Sequence, residues 1–169
     1  EILREEELVL TWALDAQADD PTPSCTVQTA DLDVLQADAA ASVAGDDRLV
    51  LVVGPAGAGK TTMLRAAVTT LHSPPHRAVF GFAPTAKAAR VLEDETGMVS
   101  DTVAKLLYEW SRPDRPPGDC WQLGPHATVV VDEAGMLGTH DLHRLMQLAR
   151  QNTWRLVLGG DPHQLQAVG

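Results

Sequence analysis

At 169 residues with 44% hydrophobic composition, the chain has material for one domain with a sizeable core, and no apolar run approaches the ~20 residues of a membrane span. The net charge of −10 sits unevenly: residues 1–47 carry 12 acids and one base, residues 48–169 carry 11 acids and 12 bases. That excludes a broad basic footprint for nucleic acid while leaving room for a local track, and the two cysteines, Cys25 and Cys120, have no C-x-x-C spacing to support a zinc site or a disulfide framework.

The chain opens Glu1-Ile2-Leu3-Arg4, without Met or a basic leader, so an excerpt from a longer, cytoplasmic polypeptide is expected. Residues 1–17 read as a helix with Ile2, Leu3, Leu8, Val9, Leu10 and Trp12 as its apolar surface and Glu5, Glu6 and Glu7 as its wet side. Residues 19–24, Asp-Asp-Pro-Thr-Pro-Ser, break it and separate an N-terminal arm, residues 1–30, from a main domain, residues 31–169. Residues 31–44 read as a second helix with Leu32, Leu35, Ala39 and Val43 on one face. Within it Gln36 stands 18 positions before Gly54. Its amide suits the adenine edge, one donor and one acceptor, and equally suits an ordinary exposed helix position.

The apolar run 49–53 is a strand by its pattern and leads into Gly54-Pro55-Ala56-Gly57-Ala58-Gly59-Lys60-Thr61, which meets G-x-x-x-x-G-K-[ST] at every fixed position. A helix is expected from Thr62 to Leu71, buried through Met63, Leu64, Ala67, Val68 and Leu71. Strand, glycine-rich turn and helix in that order are what a phosphate-binding loop requires. Its inward N–H groups and the positive end of the helix accept phosphate oxygens. Lys60 is then placed for the β- and γ-phosphates of ATP and the Thr61 hydroxyl for Mg²⁺.

Residues 78–82 form a second strand, and the segment from Ala83 through Pro84, Thr85 and Lys87 to Arg90 turns helical. Thr102 starts a helix in which Val103, Leu106, Leu107 and Trp110 recur at helical spacing. Residues 111–126, rich in proline and glycine, are an irregular loop, in which Trp121 is suited to capping an apolar patch or to stacking on a base. The β-branched run 127–131 suits the centre of a parallel sheet and ends in Asp132-Glu133. Thr139 is expected to cap a helix through Leu142, Leu145, Met146 and Ala149, and 155–158 is a fourth strand ending at Gly159-Gly160-Asp161. His72/His76 and His140/His143 flank helix ends with no second carboxylate or cysteine partner nearby and read as solvated.

Strands alternating with helices give an α/β fold with a parallel sheet, whose ligands sit at the carboxyl ends of the strands. The phosphate loop, Thr85, Asp132, Glu133, Asp161 and Gln164 all fall at such ends. Asp132 is placed to hold Mg²⁺, and Glu133 to act as general base on the water attacking the γ-phosphate. Gln164 suits either a γ-phosphate contact or a structural loop.

Residues 54–62, 83–89, 130–136 and 160–169 resemble motifs I, Ia, II and III of superfamily 1 DNA helicases. The resemblance is to the RecD-like branch and the helicase part of MobF-type conjugative relaxases: Val131-Asp132-Glu133-Ala134-Gly135-Met136 is similar to "VDEAxM", and residues 160–169 to "GDxxQLxxVG". Leu35-Gln36 before Ala39-Ala40 resembles the adenine-reading Q motif; residues 102–107 resemble the DNA-contact segment "TxHxLL" but depart at Ala104 and Lys105.

The resemblance implies a RecA-like P-loop domain, ATP and Mg²⁺ as cofactors, and 5′→3′ movement on single-stranded DNA. It places Gln36 and residues 54–62, Thr62 included, at the nucleotide, with Lys60, Glu133 and Gln164 catalytic. It places Pro84, Thr85, Lys87 and Thr102 near the DNA. In this family a second RecA-like domain completes the ATP site with an arginine, worth about three to five orders of magnitude in related NTPases. The chain ends just after motif III, so alone it is expected to hydrolyse ATP poorly. A RecD-like repair helicase and a non-motor nucleotide-binding regulatory module are the alternatives, the latter disfavoured by Glu133.

Overall fold

The computed structural model describes residues 2–17, 26–28, 30–55 and 57–161. Five strands, β1 (Leu49–Val53), β2 (Val79–Ala83), β3 (Val99–Thr102), β4 (Thr128–Val131) and β5 (Arg155–Gly160), form one sheet in the order β1-β5-β4-β2-β3. Every neighbouring pair is parallel. Among the described residues six α-helices accompany it: α1 (Ile2–Gln17), α2 (Val34–Ala44), α3 (Lys60–His72), α4 (Ala86–Thr96), α5 (Val103–Trp110) and α6 (Thr139–Asn152). This is the parallel α/β architecture that the strand–helix alternation implies, and it agrees with the RecA-like P-loop fold that the resemblance implies.

The alternation of side chains along each strand splits the core in two. Leu49, Phe82, Val129, Val131 and Leu156 face α5 and α6, and α1 adds Val9, Trp12, Ala13 and Ala16 to the same layer. Val50, Val79, Val130 and Val157 face α2, α3 and α4. The chain leaves β1 for α3 on one face and leaves β4 for α6 on the other. The crevice above the carboxyl ends of β1, β5 and β4 is therefore a place where crossovers diverge, which is where ligands of open parallel sheets bind.

Several expected boundaries shift for local reasons. Helix α2 starts at Val34, not residue 31, because Asp33 is its N-cap: the Gln36 N–H donates to Asp33 Oδ1 at 2.8 Å and the Asp33 N–H to Gln36 Oε1 at 3.1 Å, a complete capping box. Helix α3 starts at Lys60, two residues earlier than expected. Thr139 does not cap α6; it is the first helical residue, and Gly138 holds the cap position without a side-chain bond. The fourth expected strand runs on through Gly159 and Gly160. Strand β3 had no sequence signal: Val-Ser-Asp-Thr lacks an apolar run, and as an edge strand it needs none. β1 lies at the opposite edge, where Leu51 and Val53 are 50% and 68% exposed.

Trp121 settles as a packing residue: it lies 6.1 Å from the buried Phe82 ring, and its carbonyl accepts the Trp110 Nε1–H. His140 is exposed and its Nδ1 lies 3.2 Å from Glu5 Oε1, linking α6 to α1. No helix among the described residues is long and apolar enough to cross a membrane.

Candidate nucleotide site

The turn between β1 and α3 begins where the Gly54 N–H donates to the Gly160 carbonyl at 3.2 Å, fastening the loop to the end of β5. Gly57 and Gly59 then take φ of +79° and +73°. L-residues avoid that left-handed region, so the two glycines let the backbone reverse and aim the first amides of α3 outward. A side chain at Gly59 would also displace the end of Gln36, since its Cβ would stand 2.3 Å from Gln36 Nε2. Gly54 lies beneath the Lys60 stem, its notional Cβ 3.8 Å from Lys60 Cγ.

Gln36 reaches this loop. Its Nε2 donates to the Ala58 carbonyl at 3.1 Å while its Oε1 accepts from Asp33. Each end of the amide thus has one partner inside the protein, leaving one N–H and one lone pair for a ligand. Gln36, Gly54, Pro55, Ala58, Gly59 and Lys60 line a cavity of about 380 Å³, walled on its apolar side by Leu35, Ala39, Val52, Val53 and Met63. Thr62, in the first turn of α3, is exposed. Ala56 lies outside the described residues.

The acids come from β4. Asp132 N–H donates to the Phe82 carbonyl at 2.9 Å, and Asp132 Oδ1 accepts the Glu133 N–H at 3.0 Å. That carboxylate lies over Gly159, where a Cβ would approach Oδ1 to 3.2 Å. Gly159 is a site residue the sequence reading did not single out; the Gly-Gly pair closing the β5 run was the available signal. Glu133 itself takes φ +53° and ψ +36°, a left-handed conformation that a glutamate adopts only when the surroundings impose it.

Thr61, Asp132 and Glu133 line a second cavity of about 350 Å³ together with Thr85 and Lys87 of the next strand end. Loop hydroxyl, paired acids and motif Ia residues thus converge from three segments distant in sequence. Thr85 caps α4 by accepting the Ala88 N–H at 3.2 Å, and Thr102 caps α5 by accepting the Lys105 N–H at 3.1 Å. Both hydroxyls keep a proton to donate. Ala83 pairs with Thr102 in register, so Thr102 and the Pro84-Thr85 turn that follows Ala83 both lie at the carboxyl-end rim of the sheet. Gln164, with residues 162–169, lies outside the described residues.

A family model described as an AAA domain matches residues 31–169. This chain belongs to that family, in its RecD-like superfamily 1 helicase branch. It is 38% identical over 126 residues to a probable conjugal transfer protein TraA of Sinorhizobium fredii, covering 75% of this chain and 11% of that protein. The multifunctional conjugation protein TraI of Escherichia coli K12 is 31% identical over 125 residues, 72% of this chain and 7% of that protein. The RecBCD enzyme subunit RecD of Mycolicibacterium smegmatis is 34% identical over 155 residues, 77% of this chain and 27% of that protein. The chain thus spans about a tenth of the length of the TraA relative.

Proposed function

We propose that the chain is the ATP-hydrolysing half of a DNA-translocating motor: an N-terminal arm, residues 1–30, and a RecA-like domain, residues 31–169, within a longer relaxase–helicase of plasmid transfer. The observation that carries this reading is the shared cavity of Thr61, Asp132, Glu133, Thr85 and Lys87. It brings the loop hydroxyl and the two acids to the same cavity as Thr85 and Lys87, which supports a nucleotide end lying close to a DNA contact.

The donor set fits a magnesium nucleotide. The glycines at 57 and 59 leave the loop concave, where anions meet backbone N–H groups. Lys60 supplies a positive charge to the phosphate tail, and Thr61 and Asp132 offer the two oxygens that hold Mg²⁺ in P-loop enzymes. A bound Mg²⁺ neutralises charge on the phosphates. Glu133, one residue beyond Asp132, takes a proton from water held within hydrogen-bond reach. Gln36 and Asp33 flank the apolar base cavity. Gln164 serves as the γ-phosphate contact. The completing arginine comes from a second RecA-like domain of the full-length protein, and single-stranded DNA lies over Pro84, Thr85, Lys87 and Thr102.

In the full-length protein, Glu133→Gln should retain ATP binding and lose hydrolysis by about two to four orders of magnitude, the range for a positioned general base. Lys60→Ala should lose nucleotide binding. Undiminished hydrolysis by Glu133→Gln would remove the motor reading. The RecD match, at 34% over 155 residues, favours a repair helicase as the second reading. The reading frame upstream separates the two: a DNA-nicking domain supports the relaxase, its absence the repair enzyme.

A further inference from the structure

Helix α5 buries Val103, Leu106 and Leu107 and turns Tyr108 outward, where it is 56% exposed. Two cations stand at this ring. Lys105 Nζ lies 5.5 Å and Arg112 Cζ 5.3 Å from its centroid. Both lie over the ring within the ~6 Å range of a cation–π contact.

A buried acid arranges them. Glu109, only 7% exposed, holds Lys105 Nζ at 2.9 Å through Oε1 and has Arg112 Nη1 at 3.9 Å from Oε2. The same Oε2 accepts the Gly118 N–H at 3.4 Å, tying the start of the following loop beneath the pair. The bond from Lys105 keeps the Glu109 carboxyl below the ordinary carboxylate range, against the opposing effect of burial. In a chain of net charge −10, two of 13 basic residues are thus fixed beside one exposed aromatic ring.

The patch continues the rim already described. Tyr108 lies six residues along α5 from its cap Thr102, about 9 Å at the helical rise. Thr102 in turn pairs in register with Ala83, two residues before Thr85. A strand crossing Thr85 and Thr102 at the sheet rim therefore runs next onto Lys105, Tyr108 and Arg112.

We infer that Tyr108, Lys105 and Arg112 form a binding subsite for single-stranded nucleic acid, one base stacking on Tyr108 while the two cations take flanking phosphates. A sequence-tolerant single-strand site needs this combination, an aromatic face beside a short cationic track. The inference rests on the motor reading and extends its DNA path down the outer face of α5.

The test uses the 169-residue chain and a fluorescent oligothymidylate at low salt, read by anisotropy, with photo-crosslinking from 4-thiothymidine and mass-spectrometric mapping. Crosslinks should fall on the segment 105–112. Tyr108→Ala should weaken binding about tenfold, Tyr108→Phe less than about twofold, both with wild-type circular dichroism. Lys105→Gln and Arg112→Gln should each lower the slope of log affinity against log salt by about 0.7, and Tyr108→Ala should leave that slope unchanged. If the oligonucleotide binds and crosslinks only around Thr85, Lys87 or Thr102, with Tyr108→Ala at wild-type affinity, the subsite is wrong and the motor reading stands. A duplex competitor as effective as the single strand would overturn base stacking. A chain that binds nucleotide but no oligonucleotide would remove the DNA path and the subsite together.

Discussion

Gly57 and Gly59 offer a matched pair for alanine substitution, because both hold nearly the same positive φ in one loop. An alanine in the left-handed region costs about 1–2 kcal/mol. Gly57 has no heavy atom within 4 Å of a notional Cβ, so Gly57→Ala should show that cost alone. At Gly59 the Cβ would lie 2.3 Å from Gln36 Nε2. The Gln36 side chain must swing away, giving up its bond to the Ala58 carbonyl and its half of the Asp33 capping box. Each such hydrogen bond is worth about 0.5–1.5 kcal/mol, and exposure puts them toward the low end. Gly59→Ala should therefore cost about 1–2 kcal/mol more than Gly57→Ala, read from urea unfolding midpoints. Placed on a Gln36→Ala background, the extra cost should disappear, a coupling of about 1 kcal/mol or more in a double-mutant cycle. Equal costs for the two glycines, or a Gly59→Ala cost indifferent to Gln36, would refute the reasoning that Gln36 latches the phosphate loop.

Three further outcomes follow from named contacts. Arg155, 5% exposed, donates to the Val43 and Asp47 carbonyls and to Thr128 Oγ1, so it anchors the end of α2 to the base of β5. Arg155→Met should lower unfolding free energy by about 3 kcal/mol in denaturant titration, since buried acceptors lose a charged donor; a change under about 0.5 kcal/mol would count against that anchor. Glu109 has a lowered pKa, so the folded state binds fewer protons than the unfolded state as pH falls toward that value. Its stabilising contribution is whole above the ordinary carboxylate range and is lost as pH drops through the lowered pKa. Melting temperatures of wild type and Glu109→Gln should thus differ at neutral pH and converge in acid; a gap that widens in acid would have the sign wrong. Thr102→Val removes the cap on α5, and circular dichroism melts should register about 1 kcal/mol of lost stability, with Thr102→Ser near wild type.

The phosphate loop was readable residue by residue because its chemistry is local. Glycines at 57 and 59, Lys60 and Thr61 act through backbone geometry and spacing within one turn, and that information lies in consecutive residues. The helices with apolar stripes, such as α3 through Met63, Leu64, Ala67, Val68 and Leu71, were equally plain. Strand β3 was not, since an edge strand with Ser, Asp and Thr carries no alternation to detect. Gln36 appeared only as a residue upstream of the loop. Its bond to Ala58, 22 positions away, depends on how α2 packs against α3.

The sequence by itself determined the local pieces: a glycine-rich loop of the phosphate-binding pattern after one strand, two acids after another, and a parallel sheet to carry them. Only the tertiary structure decided which groups meet. The sheet order sets β5 between β1 and β4, so the loop fastens to Gly160 while Asp132 rests on Gly159 of the same strand. The helix faces turn Tyr108 outward above a buried Glu109. Those meetings arise from burying two apolar faces at once, and no short window of sequence contains that requirement.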